Sequence, residues 1–180
     1  RPMTGDPRSE IFTTVAWDGG TRLLAADLHF ARFHRHAERL EFNLPDNLPE
    51  IVFEALSMAE IPGEPVVVEN QAPYLVKIGI KPSGEVELIP RVNGKWPSLM
   101  TAISLAAPLW DGEVRGTKHG DWQPYIDARE IAKEHGAEIS LLFDEDSLVD
   151  GDRCMPVLLD SDGVAYYPKP SEGALDSITL

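Results

Sequence analysis

The chain has 180 residues, 43% of them hydrophobic and 26% charged, with a formal net charge of −14. Such a chain can bury a substantial core as one ordinary domain or two small ones, which excludes a disordered or low-complexity polymer. Its negative field repels phosphate backbones and anionic lipid, so neither nucleic acid nor a membrane surface is an expected partner.

Cys154 is the only cysteine, so no intrachain disulfide can form and a reducing cytoplasm is the expected compartment. No apolar run approaches the ~20 residues of a membrane span. The opening "RPMTGDPRSE" lacks the apolar core of a signal peptide.

In chain order, "SEIFTTVAW" is rich in β-branched and aromatic residues and reads as a strand. A turn at Asp18–Gly20 leads into "TRLLA", a plausible return strand. Asp27 is placed to cap a helix running through His36 to about Glu41, with Phe33, Ala37 and Leu40 on one face. Asn47 begins a second helix, whose apolar stripe is Leu48, Ile51, Val52, Ala55, Leu56 and Ala59. Tyr74 to Ile80 and Glu85 to Pro90 form a hairpin about Pro82–Gly84. "RVNGKWPS" is a loop, "LMTAISLAA" a strand, and "APLWDGEVRG" an irregular link.

Pro124 suits the first turn of the next helix, whose buried side is Tyr125, Ala128, Ile131 and Ala132. Gly136 suits its end. "AEISLLFDED" is a strand, and "DRCMPVLLDSDGVAYYP" a hairpin about Ser161–Gly163. The pattern is α+β, in two subdomains covering residues 1–108 and 109–180.

Four stretches in this order resemble the class IV aminotransferases, the fold-type IV enzymes of pyridoxal 5′-phosphate (PLP). They are "IFTTV", "HAERL", "GTKHGDWQPYIDAREIAKEHGAEISLLFDED" and "VDGDRCMPVLLDSDGVAYYPKPSEGALDSIT". The family includes branched-chain and D-amino-acid aminotransferases and aminodeoxychorismate lyase. The resemblance implies two subdomains of the D-amino-acid aminotransferase-like PLP fold, shortened at the C-terminus.

It also implies roles. Lys118 would be the catalytic lysine, its amine condensing with the cofactor aldehyde and moving the substrate α-proton. Read alone, Lys118 is an ordinary solvated lysine. Asp150, 32 positions later, would hold the pyridine nitrogen. The family usually has Glu there, one methylene longer, and Asp150 reads equally well as a turn residue in "VDGD". Arg39 would hold the phosphate with its guanidinium, and Ile178 and Thr179 would hold it with backbone N–H groups and a hydroxyl.

Trp122 stands where the family commonly has a Tyr beside the cofactor, so it is a candidate cofactor contact, although a core tryptophan is the simpler reading. Met155 replaces a frequent Asn and Ser177 a frequent Gly. His29, His34 and His36 do not match a zinc spacing, and His119 reads as exposed.

The functions implied are amino-group transfer between an amino acid and a 2-oxo acid, or elimination of pyruvate in the manner of aminodeoxychorismate lyase. A degenerate, non-catalytic PLP fold is the third possibility, favoured by the departures at Asp150, Trp122, Met155 and Ser177. The resemblance further implies a homodimer.

Overall fold

The computed structural model describes residues 5–110 and 112–178. The chain divides into two compact units. One runs from Arg8 to Trp96; the other gathers the described residues up to Pro7 with those from Pro97 onward. The division therefore falls ahead of the one expected at residue 108.

In the Arg8–Trp96 unit, β1 (Ile11–Trp17), β2 (Tyr74–Ile80) and β3 (Val86–Val92) form an antiparallel sheet in that order. β2 pairs with β1 from Ile11↔Ile80 to Trp17↔Tyr74. The β-branched alternation of β2 sends Val76, Ile78 and Ile80 into the core, beside Ile11, Val15 and Trp17. Helix α1 (Ala26–Leu40) covers this sheet with Phe33, Ala37 and Leu40, at the spacing of one helical face. Helix α2 (Leu48–Met58) buries Leu48, Val52 and Leu56.

Two local expectations are corrected. "TRLLA" is not a strand: Asp18 Oδ1 accepts the N–H groups of Gly20 and Arg22, and only a single Trp17–Leu23 bridge follows. This side-chain turn uses donors that a second strand would have offered to β1. Asp27 is not the cap of α1; it lies within the first turn, and Ala25, in the left-handed region at φ 51°, precedes the helix.

The other unit contains a parallel crossover. β4 (Ala102–Ala106) leads through α3 (Gln123–Glu134) to β5 (Ile139–Asp144), which pairs parallel with β4. β6 (Ser147–Gly151) then returns antiparallel along β5. The strand read in "LMTAISLAA" is thus real, but its partner lies after the helix and not in the earlier hairpins. β6 lies outside the expected strands. β7 (Leu158–Leu159) and β8 (Ala165–Tyr166) make a short hairpin about Asp160–Gly163. Pro124 occupies the first turn of α3, where its missing N–H costs nothing. Tyr125 and Ala128 pack with Trp110, Leu142 and Val149 into this unit's core, and Ala132 is also buried. Ile131 is half-buried, at the margin of that face.

Candidate active site

Lys118 and Asp150 fall in the same unit. Lys118 precedes α3 and is half-buried. Its Nζ lies 4.8 Å from the centroid of the Trp122 ring. Trp122 stacks on Tyr125 at 4.2 Å and 14°, and Tyr125 stacks on Trp110 at 5.7 Å and 12°. Three nearly parallel rings therefore form one wall, anchored in the core cluster. The i, i+3 spacing of Trp122 and Tyr125 at the head of a helix puts both rings on one face.

Asp150 sits in β6 opposite Leu142, with its side chain 5% exposed. It is a strand residue, which removes the turn reading of "VDGD". Its Oδ1 accepts the Gly151 N–H at 2.8 Å. Its Oδ2 accepts the Leu175 N–H at 3.2 Å and faces the Tyr125 hydroxyl at 3.5 Å. Burial pushes this carboxyl up to about 6, opposed by the two backbone N–H groups, the Lys118 charge and the Tyr125 hydroxyl. Burial, with the charge of Asp150, pushes the Tyr125 hydroxyl upward.

A carboxylate offers about four lone-pair sites. The described contacts use two on Oδ2 and one on Oδ1, so Oδ1 keeps an acceptor for a further donor. An amine that can condense with an aldehyde, a buried carboxyl with a spare acceptor and a stacked aromatic wall suit an aldehyde-bearing pyridinium. These residues fit PLP.

His119 is buried, contrary to its expected exposure. Its ring meets Trp110 edge-on at 4.4 Å and Trp122 at 6.1 Å. Burial pushes its imidazole down to about 4, so it is neutral at physiological pH. Asp121 is also buried and accepts the Trp110 indole N–H at 3.3 Å. One turn further along α3, Arg129 faces the buried Asp152 at 3.5 Å.

The loop before Lys118 is held from the C-terminal side. Asp176 N–H donates to the Gly116 carbonyl at 2.9 Å, and Ala174 is fully buried. Residues 174–176 therefore touch both the Lys118 loop and Asp150. Ile178 is half-buried just beyond, and Thr179 lies outside the described residues. Arg39 is half-buried on α1 in the Arg8–Trp96 unit. In that unit Arg32 is buried and donates to Thr13 Oγ1 at 2.6 Å, and His29 Nδ1 lies 2.5 Å from the same hydroxyl.

Sequence reading had placed Tyr125 in the core only and passed over Trp110 and the Leu175 N–H. For Tyr125 the spacing from Trp122 carried the signal; for Leu175 no local pattern could.

Comparison with known proteins fixes the family. A candidate 4-amino-4-deoxychorismate lyase is 26% identical, with TM-score 0.75, covering 96% of this chain and 67% of its own. A fold IV-transaminase from Curtobacterium pusillum is 18% identical, with TM-score 0.72, covering 95% of this chain and 61% of its own. A hypothetical aminotransferase from Mycobacterium tuberculosis in its PLP-bound form is 16% identical, with TM-score 0.69, covering 94% and 64%. The last two show the shared fold. This chain spans about two thirds of the length of these solved chains. No curated protein matches it. Residues 10–180 match the family amino-transferase class IV, and the chain belongs to that family.

Proposed function

We propose that the chain is a PLP enzyme that transfers an amino group between an amino acid and a 2-oxo acid. The observation that carries this is the pairing within one unit of the Lys118 amine with the buried, electrostatically coupled Asp150 carboxyl. When bound, PLP supplies an aldehyde and an electron-withdrawing ring. Lys118 would supply the amine that holds the cofactor and the base that moves the proton at the substrate α-carbon. Asp150 would hold the pyridine nitrogen, and its negative charge would keep that nitrogen protonated. Trp122 and Tyr125 bring flat apolar surface to the same region and exclude water from it.

Arg39, Ile178 and Thr179 are assigned to the phosphate by the family resemblance, as is a homodimer in the cytoplasm. A solution mass of one chain would remove the dimer.

Adding PLP to the purified protein should give an absorbance band near the visible edge, abolished in Lys118→Ala. A band that survives this substitution, or no band with either protein, overturns the reading. Aminodeoxychorismate lyase activity is the second reading, supported by the 26% identity to the candidate lyase. Pyruvate released without a 2-oxo acid co-substrate distinguishes it.

A further inference from the structure

We propose that Arg129 and Asp152 are positioning residues that act through Tyr125: their ion pair fixes α3 along β6 at the height where the Tyr125 hydroxyl meets Asp150. Tyr125 and Arg129 are four residues apart on α3, so they share a face and are separated by about 6 Å of helix rise. Asp150 and Asp152 are two residues apart, so they share a face of the strand and are separated by about 7 Å along it. The pairing with β5 continues past Gly151, because the Asp152 N–H donates to the Ser140 carbonyl at 3.1 Å. The two intervals match, and the contacts follow them. The Tyr125 hydroxyl lies 3.5 Å from Asp150 Oδ2, and Arg129 Nε lies 3.5 Å from Asp152 Oδ2. These are two rungs between one helix and one strand.

The Arg129 rung is the one that sets the height. Beside the rungs, α3 buries Ala128 and Ala132, small side chains that resist sliding weakly. The stack of Trp122, Tyr125 and Trp110 fixes ring planes and leaves slip within them. The Asp152 side chain is fully buried, and among the described residues neither of its oxygens has a hydrogen-bond partner. Burial pushes this carboxyl up, opposed by Arg129 first and Arg153 second, so Arg129 is the main cation that keeps it charged. An ion pair of this kind adds little net stability; what it supplies is registry.

Asp150 is faced by Tyr125 from α3, by Lys118 from the loop before it and by the Gly151 and Leu175 N–H groups. Cys154 is also close, its thiol pushed up by burial and by the charges of Asp152 and Asp150. Among these groups the Tyr125 hydroxyl works against burial to keep Asp150 ionised. Its distance therefore tunes how readily that carboxyl carries the charge a ring cation needs. The inference rests on the role proposed for Asp150, but its test does not.

The test uses protein without added cofactor. The Asp150 carboxyl carbon resonance, assigned by its loss in Asp150→Asn, is followed across pH in four proteins. They are the parent, Asp152→Asn, Tyr125→Phe and the two substitutions combined. Asn keeps the shape of Asp, and Arg129, partly exposed, can then turn to water. Removing the Asp152 charge acts on Asp150 directly and downward, equally with or without the Tyr125 hydroxyl. Loss of position acts upward, and only through that hydroxyl. The shift caused by Asp152→Asn should therefore lie about 0.4 pH unit higher with Tyr125 present than in the Tyr125→Phe background, the low end of what a hydrogen bond contributes. Equal shifts in the two backgrounds overturn the proposal, since the pair would then act by charge or on stability alone.

Arg129→Met combined with Asp152→Asn leaves no buried charge and reads the same rung should the single substitution not fold. Its shift is compared with and without Tyr125→Phe in the same way, and equality again overturns the proposal. A missing PLP band would remove the functional reading and leave this comparison intact; equal shifts would remove the inference and leave the band intact.

Discussion

Asp150 makes folding depend on pH in a direction opposite to that of a typical salt-bridged carboxylate. Its native carboxyl is pushed up to about 6, against 3.8 for an ordinary Asp. The native state therefore binds this proton more tightly than the unfolded chain does, and between those values it carries more protons. Stability from this group is present below about pH 4 and is lost as pH rises through about 6. The gap is worth about 3 kcal/mol, a sizeable share of the ~5–15 kcal/mol that holds a domain together.

The perturbation is Asp150→Asn, which keeps the shape and abolishes the titration. The assay is urea unfolding at pH 4 and pH 8 for both proteins. The stability change between the two pH values should differ between parent and variant by about 2 kcal/mol, the parent losing more at pH 8. All other titrating groups cancel in that comparison. So does the pH-independent cost of giving Gly151 and Leu175 N–H an amide in place of a carboxylate. Equal changes in parent and variant would refute the claim that burial dominates at Asp150.

Tyr125→Phe keeps the ring stack and removes the hydroxyl at 3.5 Å from Asp150. It should change stability by less than about 1 kcal/mol. It should also move the Asp150 transition to slightly higher pH, read by the same unfolding series. Gly116 and Gly136 both have left-handed φ, 75° and 74°. A Cβ on Gly136 meets nothing, whereas one on Gly116 comes within 3.0 Å of the Ala174 carbonyl oxygen. Gly136→Ala should cost roughly 1 kcal/mol of strain, and Gly116→Ala measurably more in thermal unfolding. Equal costs would show that residues 170–176 yield freely.

Local pattern was enough for much of the fold. The stripes of α1, α2 and α3 and the alternation of β2 are written in contiguous residues, and these elements form where the periodicity puts them. What failed was non-local. β4 pairs with β5 across the whole of α3, and parallel pairing leaves no turn signal between partners. β6 was hidden because Asp150-Gly151 imitates a turn. Gly151 is there for another reason: a Cβ would meet the Cys154 carbonyl oxygen at 2.6 Å. Lys118 and Asp150 could be named from spacing and resemblance, but the hydrogen bond from Leu175 joins residues 25 apart with no motif. His119 looked exposed because its neighbours Lys118, Gly120 and Asp121 are not apolar. Its covering rings come from Trp110 and Trp122.

Residues 174–176 reach two places at once, the Gly116 carbonyl through Asp176 and the Asp150 carboxylate through Leu175. Detaching this short stretch would unfasten the lysine-bearing loop and leave the carboxylate without one of its donors in a single event. The two ends of the proposed chemistry would therefore be armed and disarmed together, through the backbone amides of Leu175 and Asp176. A larger side chain at the fully buried Ala174 would push this stretch off its path and disturb both ends together.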